Sequence, residues 1–299
     1  MFHKDTRRSD KFARSVEHFR KAGKDMPTRG GEKEIEFSGY TEFLKSKTTI
    51  GPFDIRPHMK KMKTYTHYYS YPNRFYSEPR LDLDEDDQDE TEFKTEIIYE
   101  KERVIQCANK YRKENPTKNI SILNFASAKN PGGGFLRGSM AQEESIAYVS
   151  TLYHSLIQSD MYKINKKDSK DGIYNDIAIY TNEIAIFKLD RDDEHYFDPF
   201  YVSVISCPAV NKLNAKRNNI EESFIYDKMV DRIRLILETA KTHHTEILIL
   251  GAYGCGVFGN DPKDVKEIFM GLIENDYENV FEKIIFTIPD EEMYEKFIN

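Results

Sequence analysis

The sequence predicts an α/β fold on a mixed central sheet with an N-terminal accessory extension, and three observations carry that expectation. From about residue 94 onward, short apolar runs alternate with stretches of helical periodicity. Twice an apolar run leads into a glycine-rich loop and then a helical pattern, first at "PGGGF" and again at "YGCGVFG". The runs "DIAIYTNEIAIF" and "FYVSVIS" follow one another with no long helix between them, which an all-parallel sheet does not accommodate.

Taken in order, residues 1 to about 90 are charged and irregular apart from "YTHYYSYPNRFY". There Tyr65, Tyr68, Tyr69, Tyr71, Phe75 and Tyr76 concentrate aromatic surface that is expected to pack against the main body. "DLDEDDQDETE", residues 82–92, is almost devoid of apolar side chains and reads as a solvated linker. The boundary is therefore set there, with an accessory region over 1–93 and a main domain over 94–299. The main domain opens with the strand "TEIIYEK", a helix around 101–114 and the strand "NISILNF". Ile146, Val149, Tyr153 and Leu156 then recur at helical spacing. A helix near 221–242, the strand "EILILGA", a helix carrying Val265, Ile268, Phe269 and Leu272, and the strand "EKIIFTI" complete the chain.

At 299 residues and 39% hydrophobic content, the chain can bury a core without staples. Cys107, Cys207 and Cys255 are odd in number and lack zinc-ligand spacing, so they read as reduced thiols. No apolar run reaches the length of a membrane span, and the first residues lack the apolar stretch of a signal peptide, so the expected location is the cytosol or the nucleus. A formal net charge of −7 argues against whole-surface binding of nucleic acid.

The two glycine loops carry the chemistry. Glycine lets main-chain N–H groups face a ligand, and the positive end of a following helix favours an anion, so two such loops suit a diphosphate. Neither matches a P-loop or a dinucleotide-binding pattern. Ser139 and Gln142 have the spacing of a capping box, Glu143 and Glu144 fall in the first turn of the helix that follows, and Asp261-Pro262 reads as an N-cap with proline at the first helical position. Because successive helical residues diverge by about 100°, one glutamate can face a ligand while the other braces it.

"NFASAKNPGGGF", "AQEES", "SCPAVN" and "LGAYGCGVFGNDP" together resemble the microbial-type poly(ADP-ribose) glycohydrolases, over a stretch from about Thr95 onward. The resemblance implies a three-layer α/β/α macrodomain-like sandwich that binds ADP-ribose. It further implies that Gly132, Gly133 and Gly134 line the diphosphate, that Glu143 hydrogen-bonds the ribose, and that Glu144 performs the acid/base step. By the same resemblance, Asn124 contacts the ribose near the scissile bond, Gly254, Gly256, Val257 and Gly259 wrap the phosphates, and Phe258 packs on the terminal ribose. Gln142 completes the Gln-Glu-Glu signature. Ser127 departs from the asparagine common in the wider fold and can still make one such hydrogen bond.

Cleaving a ribose–ribose bond needs a proton on the leaving oxygen while an oxocarbenium-like centre develops. Adjacent glutamates cannot flank the sugar as an opposed pair, so Glu144 is expected to act as acid and then base, with the substrate's own diphosphate stabilising the cation. A negative Glu143 is expected to raise the proton affinity of its neighbour. No cofactor and no metal are expected. The partners expected are poly(ADP-ribose), ADP-ribose and ADP-ribosylated proteins, with no membrane, and the chain is expected to act as a monomer. The alternatives are a non-catalytic ADP-ribose reader, a hydrolase removing ADP-ribose from protein or nucleic acid, and a structural protein whose glycine loops are turns.

Overall fold

The computed structural model describes residues 49–50, 53–70, 74–76, 94–135, 139–169, 171–190 and 192–299. The acidic stretch at 82–92 and Tyr71 lie outside the described residues. The strands are β1 (Thr49–Ile50), β2 (Phe53–Asp54), β3 (Thr64–Ser70), β4 (Arg74–Tyr76), β5 (Glu96–Glu100), β6 (Ile120–Phe125), β7 (Ile177–Ile186), β8 (Phe200–Cys207), β9 (Ile247–Leu250) and β10 (Lys283–Thr287). The helices are α1 (Arg56–Met59), α2 (Val104–Glu114), α3 (Gln142–Val149), α4 (Leu152–Leu156), α5 (Met161–Asp168), α6 (Lys212–Arg217), α7 (Glu222–Thr242), α8 (Pro262–Asp276) and α9 (Glu291–Ile298). Apart from the β1–β2 pair, the strands form one eight-stranded sheet in the order β4-β3-β7-β8-β6-β9-β10-β5.

The sheet is mixed, as its sequence pattern predicts. From β8 to β5 all pairings are parallel, whereas β7 joins β8, and β3 joins β7, antiparallel. The parallel strands are nearly continuous apolar runs because both their faces are covered. Side chains alternate between two cores. Leu123, Ile205, Leu248 and Ile284 enter the core shared with α7, α8 and α9, while their neighbours Ile122, Val204, Ile249 and Ile285 enter the core shared with α2 to α5. That alternation makes the three-layer sandwich.

One expectation needs correction. The helical spacing from Ile146 to Leu156 suggests one helix, but Ser150 is extended and bridges Ile186, splitting the segment into α3 and α4. Ser150 Oγ donates to Ile146 O and accepts from Leu152 N, which stabilises the break. The sheet also extends well ahead of residue 93. Thr64 to Tyr68 pair with Thr181 to Ile177 across β3 and β7. Thr64 Oγ1 lies 2.9 Å from Ser155 Oγ, and Tyr65 packs against Tyr180. His67 Nε2 lies 2.8 Å from His243 Nε2, and the His243 ring stacks on Tyr180 at 3.6 Å. The aromatic run thus docks on the main body as expected, but by joining its sheet.

A chain starting near Asp89 would strip β3 from the edge of β7 and leave that strand unpaired on one side. We expect it to melt at least roughly 5 °C below the full chain and to aggregate more readily, as read by thermal denaturation with light scattering.

Candidate functional site

Because β8, β6 and β9 run parallel side by side, the segments leaving their C-terminal ends emerge on one edge of the sheet, where open α/β sheets gather their ligands. The loop after β9 is stitched to the segment after β8. Asn260 Nδ2 donates to Val210 O at 2.8 Å and Gly254 O at 3.0 Å, and Leu213 N donates to Phe258 O at 3.1 Å. Tyr253 packs on Phe125 at the end of β6, 5.7 Å between centroids, and donates its hydroxyl to Cys207 O at 3.1 Å.

Beneath this edge lies a charge with no access to solvent. Arg232, on the buried face of α7, donates through Nε and Nη2 to Asp176 Oδ1 at 3.1 and 3.0 Å, and through Nη2 to Ile173 O at 3.2 Å. Its Nη1 donates to Pro208 O. One guanidinium therefore fastens the segment entering β7 to the segment leaving β8. Sequence reasoning passed over this residue, although an arginine beside Ile233 and one turn from Met229 and Ile236 sits at core-facing helical spacing.

In the first loop, Gly132 and Gly133 take left-handed φ values of 65° and 61°. A Cβ on Gly133 would strike Glu144 Oε1 and stand 3.1 Å from Glu143 Oε2, so this glycine also makes room for the two carboxyl groups. Gly134 N donates to Glu144 Oε1 at 2.8 Å, and Ser127 N donates to Glu143 Oε2 at 2.7 Å. Only 3% of Glu143 and 7% of Glu144 is exposed. Burial pushes the Glu143 carboxyl up to about 8, against the opposing pull of the Ser127 N–H and the Asn124 amide. Burial thereby works against the negative charge expected on Glu143 near neutral pH.

Three other site residues make contacts within the fold. Gln142 makes no capping box with Ser139, and α3 begins after Ala141 without a side-chain cap. Its amide instead accepts from Phe125 N at 2.9 Å and donates to Leu123 O at 2.7 Å, continuing the hydrogen bonding of β6. Asn124 is fully buried behind Glu143, donating to Ser206 Oγ at 3.0 Å and to Glu143 Oε1 at 3.4 Å. Ser127 Oγ accepts from Asn130 N at 3.2 Å and shapes the loop, while its main-chain N–H holds Glu143.

The second loop divides its glycines between structure and access. Gly254 and Gly259 have left-handed φ values of 72° and 69°, and a Cβ on either would press on Ala209 or Leu213 at 2.6 Å. Gly256 is exposed and has no atom within 4 Å of a Cβ position, so packing does not demand it. Val257 beside it is 83% exposed. Phe258 is half-buried 6.2 Å from the ring of Tyr174, which itself has a left-handed φ of 61°. Asp261 caps α8 by accepting from Lys263 N at 2.9 Å, with Pro262 at its first position, as the sequence indicates. Among the described residues, no cluster of three or more histidine, cysteine, aspartate or glutamate side chains is disposed to hold a metal, and no helix is long and apolar enough to cross a membrane.

The burial of Glu143 makes a stability prediction. Its folded value of about 8 lies above the ordinary 4.5, so its contribution is fully present below about 4.5 and is lost as pH rises towards 8. Glu143→Gln removes that loss. The melting temperature of the variant relative to the parent should climb between about pH 5 and pH 8 and then level off.

The family model described as the microbial-type PARG catalytic domain matches residues 38–189, a span that includes β3, the glycine triplet and both glutamates and starts well before the acidic stretch. Among solved structures, the poly(ADP-ribose) glycohydrolase of Thermomonospora curvata bound to the inhibitor ADP-HPD is 32% identical, with a TM-score of 0.63 over 68% of this chain and 78% of that one. The poly(ADP-ribose) glycohydrolase of Deinococcus radiodurans in complex with ADP-ribose is 33% identical, with a TM-score of 0.63 over 69% of this chain and 83% of that one. A search of curated proteins gives no match. With the glycine triplet and paired glutamates inside the matched span, the chain belongs to the microbial-type poly(ADP-ribose) glycohydrolase family.

Proposed function

We propose that this chain hydrolyses the ribose–ribose O-glycosidic bonds of poly(ADP-ribose) and releases ADP-ribose. The observation that carries the reading is the pair of buried glutamates held by main-chain N–H groups of a glycine loop, at the sheet edge where a second glycine loop also opens. In this reading the substrate diphosphate lies against Gly132, Gly133 and Gly134 on one side and Gly254, Gly256, Val257 and Gly259 on the other. Phe258 packs on the terminal ribose. Gly256 supports the assignment because nothing in the fold requires its missing side chain.

Glu144 delivers its proton to the leaving ribose oxygen as the C1–O bond breaks, and the neighbouring diphosphate stabilises the cationic C1. The resulting carboxylate then takes a proton from water as the water oxygen bonds to C1, which restores the acid. Glu143, seated on Ser127 N and Asn124, orients the ribose hydroxyls. Both loops and both glutamates come from one chain, which supports action by a monomer, and polymer attached to ADP-ribosylated proteins is the substrate we expect.

Incubation of the purified protein with poly(ADP-ribose), followed by chromatography, should yield free ADP-ribose; binding without release would leave a reader. Glu144→Gln should lower turnover by about 10²–10⁴-fold while ADP-ribose affinity, measured by calorimetry, stays within about threefold. Gly256→Ala should melt like the parent yet bind ADP-ribose about tenfold more weakly, because its new methyl group meets only the ligand. Unchanged affinity would make the second loop a turn and no more.

A further inference from the structure

The two glycine loops are linked by side-chain contacts that the mechanism above does not use. Lys129 stands just ahead of the glycine triplet in the first loop, and its Nζ lies 5.8 Å from the centre of the Tyr174 ring. The same ring lies 6.2 Å from that of Phe258 in the second loop, tilted by 48°. Tyr174 thus stands between the loops, with a cation from one and an aromatic ring from the other.

The backbone that carries Tyr174 is fixed on both sides. Gly172 O accepts from Asn211 N at 2.8 Å and Ile173 O accepts from Arg232 Nη2 at 3.2 Å, while Asn175 N donates to Asn165 Oδ1 at 2.8 Å. These bonds hold Tyr174 at a φ of 61°, which glycine adopts freely and a bulky residue adopts only under constraint. A tyrosine kept where glycine would fit without strain points to work for its ring. Lys129 in turn is half-buried, and among the described residues no carboxylate pairs with it. An aromatic face attracts an ammonium without neutralising it, so the charge remains available to an anion. In a chain of formal net charge −7, a diphosphate needs positive charge supplied locally, beyond the partial charges of main-chain N–H groups.

We propose that Lys129 and Tyr174 form a clasp across the cleft. The Lys129 ammonium binds the substrate's diphosphate between the two loops, and Tyr174 is a positioning residue that holds both the ammonium and the Phe258 ring for it. The identity of the ligand rests on the function proposed for this site.

Calorimetry with ADP-ribose tests the clasp in the full chain. Lys129→Gln should weaken binding about tenfold at low ionic strength, and the deficit should shrink to about threefold or less at roughly 0.5 M salt, because screening removes the contribution of the charge. Lys129→Arg, which keeps the cation, should restore most of the affinity. Tyr174→Gly accepts the same φ without strain, so it should remain folded by thermal denaturation yet bind about fivefold more weakly. Tyr174→Phe, which keeps the ring, should recover that loss. Combining Lys129→Gln with Tyr174→Gly should weaken binding by less than the product of the two single losses, because the ammonium acts from its seat on the ring. Unchanged affinity in Lys129→Gln overturns the proposal, as does a deficit that salt does not diminish or a double variant whose loss equals that product. A parent that binds ADP-ribose but releases none from polymer fails the hydrolytic reading alone, and the same titrations still decide the clasp. A parent that does not bind ADP-ribose overturns both.

Discussion

The buried pairing of Arg232 with Asp176 is the constraint on which the active edge rests. A guanidinium cannot stay charged in a core unless its donors are met, and here a carboxylate and two main-chain carbonyls from separate segments meet them. Withdrawing the carboxylate would leave an uncompensated charge, a loss of about 3–5 kcal/mol in comparable settings. The geometry above it follows from that demand. Ile173 O must face α7, which turns Tyr174 into a left-handed conformation towards Phe258, and Pro208 O must do the same, which presents Val210 O to Asn260. Gly172 has a φ of 89° and sits against Asn211 O, where any Cβ would come within 2.8 Å. The second loop is thus braced by a salt bridge buried beneath it.

The first loop is governed by the opposite arrangement, carboxyl groups brought to main-chain donors. Two glutamates in one helical turn are stabilised by the helix N-terminus, but burial beside each other disfavours two charges. The fold resolves the conflict by pushing the Glu143 carboxyl upward through burial and by giving each carboxyl an N–H from a different part of the loop. Gly133 is where the two requirements meet, since neither the φ nor the space admits a side chain. Such a site stores free energy that the two apolar cores on either side of the sheet offset.

What could be read from the chain beforehand was whatever local chemistry dictates. The glycine triplet, the paired glutamates, the Asp261-Pro262 cap and the antiparallel switch at β7 all have short-range signatures, and each stands where expected. The misreadings came from long-range partners. Gln142 satisfies a capping rule by spacing, yet its amide is drawn to the open end of β6, whose main-chain groups have stronger need of it. Asn124 is the next-to-last residue of an apolar strand, and only the strand's register against β8 reveals that it stands beside Ser206 and behind Glu143. The β3–β7 pairing joins residues on opposite sides of an acidic stretch, and composition draws a boundary there because a sheet edge leaves no mark in the sequence between its strands.

The sheet order also fixes how late this protein can finish folding. Strand β5 pairs with β10, setting Glu96 beside Lys283 across a loop of more than 180 residues, and β3 reaches forward past the whole first glycine loop to find β7. Both edges of the sheet are therefore early segments waiting for later ones, while the central strands are added between them. Non-local closures of this kind are slow, because chain entropy must be surrendered before the contacts form. Until β10 arrives, the run of β5 has no partner among the described strands, so a nascent chain carries it unpaired while the more than 180 residues between the two are made.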